Sequence, residues 1–320
     1  MNRPLLANST ILVIGGAGFI GSHLVDKLIK ENAKHIVILD SLFTGSIGHL
    51  TAALAQNTTL YIDDAENQET LNYIMGKHDI DIVFNCATKA LNYSFINPSN
   101  AFLTNVVVLK NILELQRNGA FQTLCHFSSS EAYGSSKYQP MDEAHPLLPT
   151  TTYAAGKASA DLLLQSYVNM FDLDAFIVRP FNNYGPRQNF SGPLAGVIPV
   201  TIKKILDGDV PEIHGHGQQT RDFIYVKDTV DMVIKTYPII SSGDCVNITT
   251  DQQLSIKQVI ETIMEVMNYN GEVLQKPNRK ADVEIHRGSM KKLHGLIGTF
   301  NKTAFKDGIT STVNWVKANQ

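Results

Sequence analysis

The chain contains 320 residues, of which 27 are Lys or Arg and 30 are Asp or Glu, for a net charge of −3. This length can bury a large core in one α/β domain or in two domains that share a cleft. The basic residues are scattered, whereas a nucleic-acid surface needs them clustered on one face. No apolar run reaches the roughly 18 residues of a membrane span, and no signal-peptide core is visible. We therefore expect a cytoplasmic protein that binds neither nucleic acid nor membrane.

The three cysteines, Cys86, Cys125 and Cys245, have no C-x-x-C spacing. The first two fall in predicted buried strands, where an unpaired cysteine behaves as a small apolar residue. We expect free thiols in a reducing compartment, and neither a disulfide framework nor a metal site.

The first predicted strand runs straight into a glycine-rich turn. Its apolar residues occupy positions 11–14, and the turn glycines are Gly15, Gly16, Gly18 and Gly21. The last three satisfy G-x-G-x-x-G between a predicted strand and a predicted helix, which is the context that gives this motif its meaning. Glycine lets backbone N–H groups approach a pyrophosphate at the helix N-terminus. The stretch predicts a dinucleotide site, with an ordinary glycine-rich turn as the alternative.

A second predicted strand, residues 36–39, ends at Asp40, about twenty residues after the last glycine. An acidic side chain at this place accepts hydrogen bonds from both ribose hydroxyls of NAD. Residues 36–48 contain no Lys or Arg that would neutralise the 2′-phosphate of NADP. The sequence therefore favours NAD over NADP.

Apolar segments of strand length alternate with segments of helical spacing along the first half of the chain. The predicted strands cover residues 11–14, 36–39, 59–62, 80–86, 122–128 and 174–179. This alternation predicts an α/β fold, a Rossmann-type doubly wound parallel sheet with helices on both faces. Asp63 and Asp64 follow the third strand and are either adenine contacts or solvated turn residues. A helix predicted at residues 101–117 offers Leu103 among its residues for burial.

The second half of the chain has a different composition. Residues 180–220 are rich in Gly, Pro and Asn, and long loops of this kind usually cover a binding site. We expect a smaller C-terminal substrate-binding lid. In this division residues 1–180 form the NAD-binding Rossmann domain, to which 222–248 return, and residues 181–221 and 249–320 form the substrate-binding subdomain.

Tyr153 and Lys157 lie four residues apart, on one face of a predicted helix. A phenol has a pKa of about 10, which a neighbouring ammonium and a positive nicotinamide ring would lower. Tyr153 is thus a candidate general base or acid, although Y-x-x-x-K spacing by itself is common. Gly156 lies between the two residues, and a mid-helix glycine indicates that something approaches the backbone there.

The strand that ends at Phe127 leads into the cluster Ser128, Ser129 and Ser130. Ligands of a parallel sheet bind beyond the carboxyl ends of the strands, so these serines would lie beside the nicotinamide. A hydroxyl there can bond the same substrate oxygen that Tyr153 deprotonates.

Six motifs occur together in one order. They are Gly15-Gly-x-Gly-x-x-Gly21, Asp40, Ser129, Tyr153-x-x-x-Lys157, Arg179-Pro-Phe-Asn-Asn-Tyr-Gly-Pro-Arg187 and Arg221-Asp-Phe-Ile-Tyr-Val226. In this order and spacing the chain resembles the extended short-chain dehydrogenase/reductases that act on nucleotide sugars. The resemblance implies an NAD-dependent enzyme, a nucleotide-diphosphate sugar as substrate, and a homodimer whose four-helix seam is formed by residues 101–117 and 153–171.

The same resemblance implies three catalytic roles. Tyr153 takes the proton of the sugar 4-hydroxyl as hydride passes from C4 to NAD, Ser129 holds that oxygen, and Lys157 binds the nicotinamide ribose and lowers the tyrosine pKa. The implied contacts to NAD come from Gly15, Gly18, Phe19, Ile20, Gly21, Asp40, Asp64, Ala65, Ala87, Tyr153 and Lys157.

Substrate contacts are implied as well. Asn182 and Arg221 match positions that bind the sugar diphosphate, and Arg279 is similar to a second phosphate-binding arginine. Two guanidinium groups suit a diphosphate because each meets its oxygens in a fork, although a surface salt bridge is the alternative for each arginine. Lys89 and Arg187 complete the expected substrate-binding set, together with the catalytic serine.

The residues after Ser129 bear on the reaction. Ser129, Ser130 and Glu131 are similar to the Thr-Ser-Glu or Thr-Asp-Glu of 4,6-dehydratases and to the Thr-Ser-Glu of nucleotide-glucuronate decarboxylases. Epimerases of this family usually carry small residues after the catalytic serine. Because a 4-ketone acidifies the C5 proton, Glu131 would remove it while water leaves C6, with Ser130 aiding the leaving oxygen. We therefore expect 4,6-dehydration to a 4-keto-6-deoxy sugar, with 4-epimerisation as the alternative. Nucleotide-glucuronate decarboxylation and a non-catalytic NAD-binding regulator are less favoured.

Overall fold

A computed structural model describes residues 3–277 and 283–320 of the chain. Its strands are β1 (Thr10–Ile14), β2 (His35–Asp40), β3 (Thr58–Ile62), β4 (Ile82–Asn85), β5 (Thr123–Phe127), β6 (Asp174–Pro180), β7 (Asn182–Tyr184), β8 (Glu212–His214), β9 (Thr220–Arg221), β10 (Phe223–Tyr225), β11 (Cys245–Ile248), β12 (Leu254–Ser255), β13 (Leu274–Lys276) and β14 (Ile285–His286).

The α-helices of the described residues connect these strands or pack around them. They are α1 (Phe19–Lys30), α2 (Thr51–Leu54), α3 (Gln68–Lys77), α4 (Pro98–Arg117), α5 (Thr152–Phe171), α6 (Val197–Asp207), α7 (Val226–Thr236), α8 (Ile256–Val266), α9 (Lys291–Ile297) and α10 (Phe305–Asn319). Short 3-10 helices cover Ile47–Leu50, Leu91–Phe95 and Ser130–Tyr133.

Seven strands form one sheet in the order β11-β6-β5-β4-β1-β2-β3, and each neighbouring pair is parallel. The predicted α/β fold class is confirmed. The chain starts in the middle of the sheet and winds outward in both directions, so the strand order reverses between β1 and β4. At such a reversal the loops beyond the carboxyl ends separate and leave a crevice for a ligand.

The six predicted strands of this sheet are present because both of its faces are buried. Ile11 and Val13 pack into a core on one face, whereas Leu12 and Ile14 pack into a second core on the other face. A strand covered on both sides is a continuous apolar run, which is what the sequence shows. The seventh strand, β11, forms the edge of the sheet beside β6.

Helix α4 begins at Pro98, three residues before the predicted start, because the Asn97 side chain caps it by accepting a hydrogen bond from Asn100 N at 3.1 Å. The predicted burial of Leu103 is wrong. Its side chain belongs to a residue that is 44% exposed, because other side chains of α4 face the core.

The mid-helix Gly156 of α5 is explained by the packing of α5 against α4. A Cβ atom there would lie 2.7 Å from the Phe102 carbonyl oxygen of α4.

A separate core lies in the C-terminal part of the chain. It joins α6, α8 and α10 through apolar residues that include Ile202, Ile263, Ile309 and Val313. Helix α10 has 15 residues and packs against α6 and α8.

The three cysteines and the length of the helices relate to the expected free thiols and to the expected lack of a membrane span. Cys125 and Cys245 are buried and Cys86 is half-buried, and all three are free; Cys86 lies just after β4 rather than within the strand. Within residues 3–277 and 283–320, no helix has the length and apolar character that crossing a membrane requires.

Candidate active site

The glycine-rich turn lies at the crevice where the strand order reverses. Gly15 has a φ of +77°, and a Cβ atom on it would lie 2.8 Å from the backbone nitrogen of Ala87, after β4. A Cβ atom on Gly21 would collide with the carbonyl oxygen of Gly15. The turn is therefore packed tightly between β4 and the start of α1, and its backbone amides remain close to the helix N-terminus that suits a phosphate.

Asp40 at the end of β2 is buried and bound to the same turn. Its Oδ2 accepts a hydrogen bond from Ala17 N, and its Oδ1 accepts one from Leu42 N, both at 2.8 Å. These bonds fix the carboxylate at the cavity wall while leaving further lone pairs for a ligand.

The first cavity runs along this turn and the adjacent strand ends. It is lined by Gly15, Gly18, Phe19, Ile20, Gly21, Asp40, Asp64, Ala65 and Ala87, together with residues of the β2–α2 and β6–α6 connections. All nine are among the cofactor contacts that the resemblance implies, whereas the other two, Tyr153 and Lys157, do not line this cavity. A glycine cradle at a helix N-terminus next to a buried carboxylate fits a dinucleotide.

Lys89 lies in the wall of this first cavity, and not in the second cavity as its predicted substrate role requires. Its Nζ is 4.0 Å from Asp64 Oδ2 and 4.1 Å from the centroid of the Phe43 ring. The loop after β4 turns the ammonium toward the cofactor side of the crevice.

The second cavity adjoins the first and brings together residues from distant parts of the chain. Ser129, Glu131, Tyr153, Asn182 and Arg221 line it. Residues that line both cavities form their boundary, and they are Phe19, Ala90, Gln188, Leu194 and Gly196. A molecule in the second cavity can therefore reach the inner end of one in the first.

Ser129 precedes the 3-10 helix Ser130–Tyr133 and caps it. Its backbone is extended, and its Oγ accepts a hydrogen bond from Glu131 N at 3.2 Å. Glu131 faces the cavity, whereas the Ser130 side chain is buried and does not line it. The geometry therefore gives no support to the predicted role of Ser130 at the leaving oxygen.

Tyr153 and Lys157 lie one helical turn apart near the start of α5, as predicted. Burial raises the pKa of Tyr153 to about 12; the Ser129 hydroxyl lowers it in part, and the charge of Glu131 raises it. Lys157 is buried, and its Nζ donates a hydrogen bond to Phe127 O at 2.7 Å. Burial lowers the pKa of Lys157 to about 8, against the charge of Asp161. The net effect of burial and of the surrounding side chains is a raised tyrosine pKa, and its lowering by Lys157 together with the nicotinamide ring stays a prediction.

Asn182 and Arg221 line the second cavity from neighbouring strands. Arg221 on β9 is buried and donates a hydrogen bond to Thr220 O at 2.9 Å. Asn182 on β7 donates to the backbone oxygen of Asp222 at 3.3 Å, so the two predicted diphosphate contacts are joined through neighbouring strands. Arg279 lies outside the described residues.

Arg187 lines neither cavity, so the geometry gives no support to its predicted place among the substrate contacts. Its guanidinium pairs with Asp26 of α1 at 2.7 Å. The preceding carbonyl oxygen, of Pro186, lies 3.0 Å from His23 Nε2 of the same helix. The loop turns at Arg187, whose φ of +67° directs its side chain toward α1.

Comparison with known proteins decides the family. The family model described as GDP-mannose 4,6-dehydratase matches residues 12–312. The chain belongs to this family. A putative UDP-glucose 4-epimerase of Methanocaldococcus jannaschii is 34% identical to this member over 311 residues, which cover 97% of this chain and 99% of that protein.

Solved structures of the same fold include a 4-epimerase and a 4,6-dehydratase. The UDP-glucose 4-epimerase of Thermotoga maritima, crystallised with UDP-glucose, has a TM-score of 0.91 at 29% identity and covers 97% of this chain and 99% of its own. The dTDP-glucose 4,6-dehydratase of Streptomyces venezuelae, crystallised with NAD, has a TM-score of 0.91 at 26% identity and covers 97% of each chain. The predicted resemblance to NAD-dependent nucleotide-sugar enzymes is confirmed.

In this member of the GDP-mannose 4,6-dehydratase family, a buried ionic network lies next to the candidate catalytic residues. Asp161 Oδ2 accepts hydrogen bonds from Arg179 at 2.7 Å and from Ser128 Oγ at 2.6 Å. Arg179 also donates to Tyr133 Oη at 2.6 Å. Sequence reasoning missed Asp161; the available signal was its position four residues after Lys157, on the same helical face.

We expect Asp161→Asn to lower the free energy of unfolding by about 3 to 5 kcal/mol, because it leaves the Arg179 charge buried without its counter-ion. The midpoint of urea unfolding measures this loss. Asp207→Asn is the control, since Asp207 pairs with Lys203 at the surface, where a pair contributes about 1 kcal/mol or less. Equal midpoint shifts in the two variants would contradict the prediction.

Proposed function

We propose that this chain is an NAD-dependent nucleotide-sugar 4,6-dehydratase that works through a 4-keto intermediate. The observation that supports it is the position of Glu131, which faces the same cavity as Ser129 and Tyr153. An oxidation at C4 needs the serine and the tyrosine, whereas a carboxylate next to them serves a further proton transfer.

The first cavity is the proposed NAD site. Its glycine turn would hold the pyrophosphate, and Asp40 would accept hydrogen bonds from the adenosine ribose. When bound there, NAD supplies the hydride acceptor for C4, the hydride donor for C6, and a positive ring beside the Tyr153 phenol. The absence of an arginine or lysine in residues 36–48 favours NAD over NADP.

Tyr153 and Ser129 act on the sugar 4-oxygen in this proposal. The Tyr153 phenolate takes the hydroxyl proton as C4 is oxidised, and the Ser129 hydroxyl holds the same oxygen by a hydrogen bond. Lys157, whose Nζ is held by Phe127 O beneath the cavities, would supply positive charge near the phenolate and, with NAD bound, a contact for the nicotinamide ribose. Because the product keeps the 4-ketone, Tyr153 releases the proton that it took to solvent before the next turnover.

Glu131 carries the elimination. The 4-ketone makes the C5 proton acidic, and the Glu131 carboxylate removes it as the C6 oxygen leaves. Because Ser130 is turned away from the cavity, we assign the proton of the departing water to Glu131 as well: the proton taken from C5 leaves with the C6 hydroxyl. Hydride then adds at C6 and a solvent proton at C5, which gives a 4-keto-6-deoxy sugar.

We also propose that the chain divides into a cofactor-binding part and a substrate-binding part. Residues 1–180 with 222–248 bind the cofactor, and residues 181–221 with 249–320 bind the substrate, whose diphosphate meets Asn182, Arg221 and Arg279.

A homodimer is the proposed assembly. Leu103 on α4 and Leu162, Met170 and Phe171 on α5 are exposed apolar residues on two adjacent helices, where a partner would cover them. The three free thiols suit a reducing cytoplasm.

The test of the proposed function is an incubation with UDP-, dTDP-, GDP- and CDP-hexoses in deuterated water, read by mass spectrometry. A 4,6-dehydratase gives a product that has lost one water and carries solvent deuterium at C5. An isomer of unchanged mass without deuterium would overturn the proposal.

The second candidate is a nucleotide-sugar 4-epimerase. The similarity to the putative epimerase of M. jannaschii and to the epimerase of T. maritima favours it. In that case the ketone turns within the second cavity and takes hydride back on its other face, and Glu131 takes no part. The same incubation separates the two reactions.

A further inference from the structure

One peptide group of the candidate active site is held at both ends. The N–H of Glu131 donates to Ser129 Oγ at 3.2 Å, and the carbonyl oxygen of Ser130 lies 3.1 Å from Nε2 of His286. These N–H and C=O groups belong to the same planar peptide. Its two hydrogen bonds therefore fix the orientation of the backbone that leads into the Glu131 side chain.

The chemistry of His286 makes it a permanent donor to this peptide. A carbonyl oxygen only accepts hydrogen bonds, so Nε2 carries the proton and Nδ1 does not. Among the residues that the structure describes, Nδ1 is buried without a hydrogen-bond partner. Burial and the charge of Arg221 lower the pKa of His286 to about 3, so the ring stays neutral near neutral pH. The ring packs against Phe181, with 5.2 Å between centroids.

The backbone of His286 is held by strand β9, which carries Arg221, a residue proposed to bind the substrate diphosphate. Strand β14 pairs in parallel with β9, and His286 lies opposite Arg221 in the register. On its other side the chain is held by Met141, whose N donates to Arg287 O at 2.8 Å and whose O accepts from Ser289 N at 2.9 Å. Any shift of Arg221 and its strand therefore moves the donor behind the Ser130–Glu131 peptide.

We propose that His286 is a positioning residue that fixes the Ser130–Glu131 peptide and couples the substrate diphosphate at Arg221 to the Glu131 carboxylate. The proposal rests on the proposed function, since it takes Glu131 as the group that acts at C5. None of the six motifs of the sequence contains His286.

The test compares His286→Leu, which removes the donor, with His286→Gln, whose side-chain amide restores it. In the purified enzyme with its nucleotide sugar, mass spectrometry follows loss of water and absorbance at 340 nm follows oxidation at C4. We expect His286→Leu to lower the dehydration kcat on the order of a hundredfold, with oxidation at C4 and KM changing much less. His286→Gln restores most of the dehydration rate. His286→Met is the second apolar variant if the leucine variant does not fold.

Two results would overturn the proposal while the wild-type enzyme dehydrates its substrate. The first is a folded apolar variant that dehydrates at the wild-type rate. The second is a glutamine variant as defective as the apolar one at equal thermal stability, because the donor would then not be the property that matters. If the wild-type enzyme instead returns an isomer, the proposed function fails, and the role of His286 fails with it.

Discussion

Replacing Tyr153 by Phe is expected to lower turnover about a thousandfold or more while the protein still binds NAD. The variant removes the phenol that takes the 4-hydroxyl proton, and general acid–base catalysis contributes roughly 100- to 10,000-fold. The ring itself remains, so the second cavity keeps its shape. The measurement is the rate of nucleotide-sugar conversion, together with NAD binding by calorimetry.

The chain offers a matched control on the same helix. Tyr167 of α5 donates its hydroxyl proton to Glu114 Oε1 at 2.5 Å and lines neither cavity. Tyr167→Phe therefore removes an equal hydroxyl without reaching the site, and its turnover should match that of the wild type. Near-normal activity in Tyr153→Phe would falsify its assignment as the base.

Replacing Glu131 by Gln is expected to separate the two half-reactions. A dehydratase variant would still oxidise C4 and show the absorbance of the reduced cofactor, yet the release of dehydrated product would fall about a hundredfold or more, because no carboxylate remains to remove the C5 proton. Quenched-flow mass spectrometry and absorbance on one sample measure both steps. Loss of the Glu131 charge should also ease Tyr153 ionisation, since that charge raises the tyrosine pKa.

Glu143→Gln is the matched control for this variant. Glu143 is a neighbouring partly buried carboxylate whose Oε1 accepts a hydrogen bond from Asn247 N at 2.8 Å, a bond that the amide oxygen of Gln can keep. It lines neither cavity, so full activity is expected. An epimerase would lose little activity in Glu131→Gln, and that outcome would exclude the dehydratase assignment.

Local sequence patterns were sufficient for the sheet and for the first cavity. Strands such as residues 11–14 are recognisable because burial on both faces demands consecutive apolar residues. The glycine spacing and Asp40 are recognisable because a short βα turn and the next strand end bring them together in any doubly wound sheet. Tyr153 and Lys157 share a helical face at a spacing that the helix itself sets.

The sequence by itself determined the fold class, the glycine turn with Asp40 in the first cavity, and the helical spacing of the pair on α5, because each depends on backbone periodicity or on neighbouring segments. Only the tertiary structure decided that Arg187 pairs with Asp26, that Ser130 turns away, and that His286 holds the peptide before Glu131. These outcomes depend on side chains from distant segments, such as Ser130 and His286 at a sequence separation of 156, which a periodic pattern does not encode. Their orientation is selected by packing and by the need to pair buried polar groups.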